Sequence, residues 1–366
     1  MSGGTGRTAA GAAGHATASP ADAGVATSRL HIVDALRGPA ALAVACYHVT
    51  NGNVRLLQGN ALAAAGSYGW LGVDVFFVIS GFVIPYALAS GGYHWRDAGR
   101  FLLKRIIRLD PPYLVTLAVA LLLAWVSAQL PTYRGKGFAA DPLTIALHLG
   151  YLTEIFGRTW FVLVFWTLAL EFQFYLSMAV LQPFVVHRRT VVRALLVASM
   201  IAGSALSHVR AFVPMWGAWF ALGVLAFLLR SGRLSRAAYA VGLLAAAGTI
   251  GVEATPVQGI VAGLTSLVIG TVHLDRPRFA TLGALSYSLY LVHEPIGGRV
   301  VNLAVHWDRR PWFVNVAVVA AALAVSLGAA WLLHHGVERP AQRWASRIRY
   351  RAPRPAGATA ARPPGR

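Results

Sequence analysis

The sequence predicts an all-α fold, a polytopic integral membrane helical bundle with about ten transmembrane helices. Three observations carry that expectation. Apolar residues make up 57% of the chain and mean hydropathy is +0.58, above the usual range for water-soluble domains. Apolar runs of membrane-spanning length recur between residues 31 and 336. The cations gather in short clusters between those runs, the pattern that sets membrane topology. The formal charge of +19 therefore speaks for orientation in a bilayer, and no nucleic-acid partner is expected. A single cysteine, Cys46, excludes an internal disulfide.

Residues 1–28 are rich in Gly, Ala, Ser and Thr, bury little, and are expected to form a disordered N-terminal tail. No apolar stretch lies near Met1, so the first span, near 31–50, is read as its own insertion signal. Further runs lie near 69–89, 111–130, 160–186, 191–208, 211–230, 236–252, 256–273, 281–299 and 312–336. Basic loops at 91–108, 187–193, 230–236 and 341–366 are placed in the cytoplasm. The loops near 51–68, 131–140 and 252–256 carry few cations and are placed outside. Alternation then makes 160–186 one long tilted span and leaves the shorter run 143–156, with His148 and Glu154, re-entrant or interfacial. This map gives a multi-pass protein of the cell inner (plasma) membrane with both termini cytoplasmic. Residues 29–340 form one membrane domain, and 341–366 form a basic disordered tail near anionic lipid. No second soluble domain is expected.

Ionisable groups inside such spans mark candidate sites. The first span reads DALRGPAALAVACYH over Asp34–His48. Eleven helical steps of about 100° bring His48 to within roughly 20° of Arg37, about 16 Å further along the axis. Asp34 shares their sector, so the three form one polar stripe; the alternative is an interfacial anchor plus a satisfied core histidine. In the second span Asp74 lies near the outer end, and Ser80 and Gly81 are small enough for close approach of a helix or a ligand. Lys104, Arg105 and Arg108 precede Pro111 and Pro112, which break or start a helix. Those cations are suited to phosphates or to lipid headgroups. Thr167, Glu171 and Tyr175 recur every four residues and form a mid-membrane stripe, with Arg37 or His48 as partners for the carboxylate. His293 and Glu294 precede Pro295; His293 is either a second site histidine or the hydrogen-bonder of a helix kink. Glu338–Arg339 reads as a local ion pair. No metal site is expected.

These stretches together resemble the acyltransferase 3 family of membrane-bound O-acyltransferases acting on carbohydrates and glycosylated compounds. The resemblance rests on Arg37-x10-His48, GVDVFFVISGF at 72–82, the Arg105–Arg108 segment, WTLALEFQFY at 166–175, LSYSLYLVHEP at 285–295 and VERP at 337–340, which follow the family's order. It implies transfer of an acyl group, acetyl above all, from acyl-CoA to a hydroxyl of a sugar, glycan or glycosylated natural product such as a macrolide. The family's first-helix pair carries over to Arg37 and His48, its basic segment to Arg105 and Arg108, and its helix-four carboxylate to Glu171. Asp110 departs from the pattern and lowers the positive charge of the basic segment. In the expected mechanism the neutral imidazole of His48 removes the hydroxyl proton, Glu171 or Asp74 orients the ring, and Arg37, with Lys104, Arg105 and Arg108, holds the donor. Asp34, Ser80, Thr167, Tyr175 and His293 are expected at the substrate site or in its framework. A transporter and a partner subunit with a degenerate site are the competing classes.

Overall fold

The computed structural model describes residues 20–52, 57, 60–129, 140–276, 278–304 and 311–350. Regular structure among the described residues is helical: α1 (Pro20–Asn51), α2 (Ala61–Gly66), α3 (Gly72–Ser90), α4 (Ala98–Ala128), α5 (Pro142–Leu149), α6 (Phe165–Val185), α7 (Thr190–Leu206), α8 (Gly217–Arg230), α9 (Arg236–Glu253), α10 (Pro256–Thr271), α11 (Ala280–Val292), α12 (Gly298–Ala304), α13 (Trp312–Leu333) and α14 (Arg339–Ser346). Each long apolar run of the sequence carries a helix. Among the described residues, six helical segments are long and apolar enough to cross a membrane: His31–Asn51, Ala61–Ser90, Trp95–Ala128, Phe165–Val185, Val213–Arg230 and Trp312–Ser346. α7 and α10 are apolar but shorter, and α11 runs into a π-helical turn at His293–Gly297.

Large apolar side chains stand exposed on the helices, among them Leu122 and Trp125 on α4, Leu195 on α7, Leu244 on α9, Leu264 on α10 and Leu332 on α13. Water would penalise such a surface, whereas lipid tails accept it. The multi-pass membrane bundle follows from that surface together with the spanning helices.

Several local expectations change. Helical backbone begins at Pro20, inside the stretch assigned to the tail; Ala21, Ala23 and Ala26 are strong helix formers continuous with the first span. Residues 1–19 and 351–366, most of the loop at 131–140, and Arg309 and Arg310 lie outside the described residues. α4 is unbroken from Ala98 through Pro111 and Pro112, so the cations are on the helix itself and not in a loop before it. α6 starts at Phe165, not 160; residues 151–164 are mainly turns. Within them, His148 at the end of α5 is fully buried, directs Nδ1 to Thr144 O at 2.7 Å, and accepts the Phe161 N–H at 3.1 Å. α5, at eight residues, is about 12 Å long and too short to cross a bilayer. Part of the expected C-terminal tail is also helical, since α14 buries Ala341 and Ala345 and lies against α4.

Two close helix contacts position the site. α3 lies on α8, where a side chain at Gly81 would meet the carbonyl oxygen of Phe220 and one at Gly223 that of Val78. α1 lies on α11 with Gly38 against the Gly283 backbone and Gly283 against the Asp34 carbonyl. Small residues allow this approach, and dispersion contact drives helix association where lipid removes the hydrophobic force. The α1–α11 contact brings the face bearing Arg37 and His48 against the face bearing Tyr290 and its neighbours.

Candidate active site

A cavity of about 790 Å³, its open mouth included, lies between α1, α3, α4, α6 and α11. Arg37, Ser80, Arg105, Arg108, Thr167, Glu171 and Tyr175 all line it, so residues from four of the sequence stretches converge. Glu171 accepts the Ser80 hydroxyl at 3.1 Å and also the Tyr175 hydroxyl. Thr167 and Tyr290 share a hydrogen bond of 2.7 Å. Arg105 is only 9% exposed, and its guanidinium sits 5.4 Å from the ring centres of both Phe101 and Tyr175. A planar, weakly hydrated guanidinium is the cation best suited to such aromatic burial.

The charge in this cavity is unbalanced. Three guanidiniums, from Arg37, Arg105 and Arg108, face one carboxylate, Glu171. The buried Nε atoms of Arg37 and Arg105 have no hydrogen-bond partner. Buried donors of this kind are rare and carry a desolvation penalty unless an acceptor arrives. The cavity is therefore prepared for an anion. A smaller cavity adjoins it and reaches Asp110, which accepts the Tyr151 hydroxyl at 2.9 Å. Tyr151 is held at φ 58°, a left-handed conformation uncommon for a bulky residue.

Other expected site residues are elsewhere. Lys104 does not line the cavity; its ammonium lies 5.9 Å from the Tyr350 ring centre, beyond α14. Asp34 sits below Arg37 on α1, half-buried beneath Gly283 and outside the cavity lining. Asp74 is 2% exposed and faces α8 and α10, where it accepts Trp219 Nε1–H at 2.5 Å and Gln258 Nε2–H at 3.1 Å. Neither Asp74 nor Glu171 hydrogen-bonds His48, which corrects the expected carboxylate–imidazole pair: neutral donors on neighbouring helices already hold both carboxylates. His48 instead packs edge-to-face on His293, ring centres 5.1 Å apart, and Tyr290 connects His293 to the cavity wall. Glu338 is also corrected. It is buried on Ser288 (2.6 Å), His334 (3.0 Å) and Gln342 (2.8 Å) and is not an interfacial pair with Arg339.

Sequence reasoning missed Tyr287, Tyr290, Trp219 and Gln258. Tyr287 lines the cavity and donates to Leu109 O at 2.9 Å, one turn from the α4 cations. The first two lie in LSYSLYLVHEP, where aromatic residues on an apolar helix give no signal separate from packing. Among the described residues, no three of His, Cys, Asp and Glu gather as metal ligands.

A family model described as an acyltransferase domain matches residues 30–335. The chain belongs to the acyltransferase 3 family. Membership in this family makes it a membrane-bound O-acyltransferase. A Komagataeibacter xylinus protein named as a membrane-bound transacylase, BcsY, is 29% identical over 85% of this chain and 83% of its own length. Acyltransferase MdmB of Streptomyces mycarofaciens is 29% identical over 90% of this chain and 96% of its own length. The O-acetyltransferase OatA of Staphylococcus aureus is 29% identical, over 46% of this chain and 28% of OatA. No solved structure matches the chain.

Proposed function

We propose that this acyltransferase moves an acyl group, acetyl above all, from acyl-CoA to a hydroxyl of a sugar or glycosylated compound. The observation that carries the reading is the cavity's excess of guanidinium, with two buried Nε–H groups lacking acceptors. A nucleotide-bearing thioester supplies several phosphate oxygens, the acceptors that the Nε atoms of Arg37 and Arg105 lack, and guanidinium binds phosphate in a bidentate fork. The names of the relatives support acyl transfer, to an oxygen in one of them: MdmB is an acyltransferase and OatA an O-acetyltransferase.

The inner (plasma) membrane is the assigned location, with both termini cytoplasmic, because the Arg clusters at 96–108, 188–193 and 230–236 fall on one side of the map. In that orientation the Arg105–Arg108 end of the cavity lies toward the cytoplasm, where the donor is made. The pantetheine arm extends toward Thr167 and Tyr290, and the thioester reaches the end of α1 that carries His48. Arg37, about 16 Å back along α1, holds the anionic head.

His48 serves as general base. Its imidazole takes the acceptor hydroxyl proton as the oxygen attacks the thioester carbonyl carbon. The carbon–sulfur bond then breaks, and the proton passes to the departing thiolate, leaving an ester and free CoA thiol. General-base assistance is worth about 10²–10⁴-fold. The test uses purified full-length protein, labelled acetyl-CoA, and a panel of sugars and macrolides. His48→Ala is expected to lose transfer by about that factor at unchanged membrane insertion. Wild-type transfer rates in a well-inserted His48→Ala protein would remove the assignment, and uptake or efflux of a sugar without acyl-CoA turnover would remove the donor.

A further inference from the structure

His48 and His293 share a local environment that the mechanism above does not use. Their rings stand edge-to-face, centres 5.1 Å apart with an interplanar angle of 82°. The Nε2 atom of each is buried without a hydrogen-bond partner. Two such orphans on rings in edge-to-face contact call for a functional reason. His293 is fully buried, and its Nδ1 lies 3.0 Å from Leu289 O. A carbonyl only accepts, so Nδ1 carries the proton and Nε2 presents a lone pair. His48 is half-buried, and Nε2 is its enclosed nitrogen.

Local structure fixes His293 further. The helix widens into a π-turn over His293–Gly297, where Pro295 supplies no N–H, and π-turns frequently mark functional positions. Glu294 accepts the Val164 N–H at 3.3 Å, which ties the turn to the start of α6. Tyr290 packs on the His293 ring at 5.7 Å while its hydroxyl meets Thr167 on the cavity wall. The titratable side chains whose rings face the pair are Tyr47 on α1 and Tyr290 on α11.

We propose that His293 is a positioning residue for His48: its Nε2 lone pair receives the Nε2–H of His48, which leaves His48 Nδ1 as the base toward the acceptor hydroxyl. That hydrogen bond would join the two nitrogens that the structure leaves without partners. The arrangement does the work of the carboxylate in a catalytic triad, but with a neutral partner. A neutral pair also avoids placing a second permanent charge in a low-dielectric interior. During turnover His48 Nδ1 gains the hydroxyl proton and returns it to the departing thiolate; His293 gains and loses none.

The proposal rests on His48 as base, and a double-mutant cycle separates the two claims. Full-length protein in lipid nanodiscs is assayed with saturating acetyl-CoA as His293→Phe, His293→Gln, His48→Ala and His48→Ala/His293→Phe. His293→Phe is expected to lower kcat about 10–100-fold, the usual loss for a removed orienting partner, with the KM for acetyl-CoA and the melting temperature unchanged. His293→Gln, which keeps an acceptor oxygen, recovers part of kcat. The double variant is no slower than His48→Ala, since the two rings act as a unit. Where phenylalanine lowers the melting temperature, His293→Leu takes its place in the cycle. A folded His293→Phe or His293→Leu protein with wild-type kcat overturns the pairing, as does a double variant whose losses multiply. A fully active His48→Ala protein removes the base assignment itself, and the pairing with it.

Discussion

On one face of α3, Asp74 is closed off by the indole of Trp219 and the amide of Gln258, and Gly81 presses on the α8 backbone. On the other face, Ser80 meets Glu171 in a cavity where two arginines hold buried N–H groups without acceptors. Both faces bury a carboxylate in a membrane bundle. The sealed face supplies the carboxylate with neutral donors and binds α3, α8 and α10 together. The open face surrounds it with excess cation and leaves space. A complete hydrogen-bond set marks framework, and an incomplete one beside a cavity marks a place for a ligand.

The largest effect is expected on the sealed face. Gly81→Leu drives a side chain into the Phe220 carbonyl, where overpacking costs about 1–3 kcal/mol and more when backbone must move. A fall in melting temperature and in inserted yield checks this; a leucine variant that melts with the wild type would show that the contact is slack. Arg105→Met comes next and should behave in the opposite sense. It is expected to lower kcat/KM for acetyl-CoA about 30–100-fold, roughly 2–3 kcal/mol, while the melting temperature holds or rises, because methionine removes a buried guanidinium whose Nε has no acceptor. Loss of stability without loss of donor affinity would make Arg105 framework and erase the contrast.

Smaller effects sharpen it. Asp74→Asn keeps an acceptor oxygen for Trp219 and Gln258 and should cost about 1 kcal/mol of stability, with kcat/KM within roughly threefold of wild type. A much larger loss of turnover in a stable Asp74→Asn protein would move Asp74 back into the chemistry. Lys104→Met is expected to change least, less than about twofold in kcat/KM, because its ammonium lies near the Tyr350 ring and does not line the cavity.

Much of the candidate site is legible in the sequence. Arg37, Arg105, Arg108, Thr167, Glu171 and Tyr175 stand out because ionisable and hydroxyl groups are rare in apolar runs, and they do meet in one cavity. Lys104 has the same charge signal as Arg105, yet adjacent residues on a helix point about 100° apart, so only one of the two enters. Tyr290 carried no signal at all, since an aromatic ring on an apolar helix reads as packing whatever lies beside it.

Composition and periodicity by themselves determined the helical membrane class and the polar stripes on individual helices, because each depends on neighbours within a few turns. Tertiary structure alone decided which partner each polar group found. Asp74 meets Trp219 and Gln258, Glu171 meets Ser80, and His48 meets His293, all far apart in the chain. Those pairings depend on how helices rotate and approach, and here that is set by small residues at their contacts, such as Gly38, Gly81, Gly223 and Gly283.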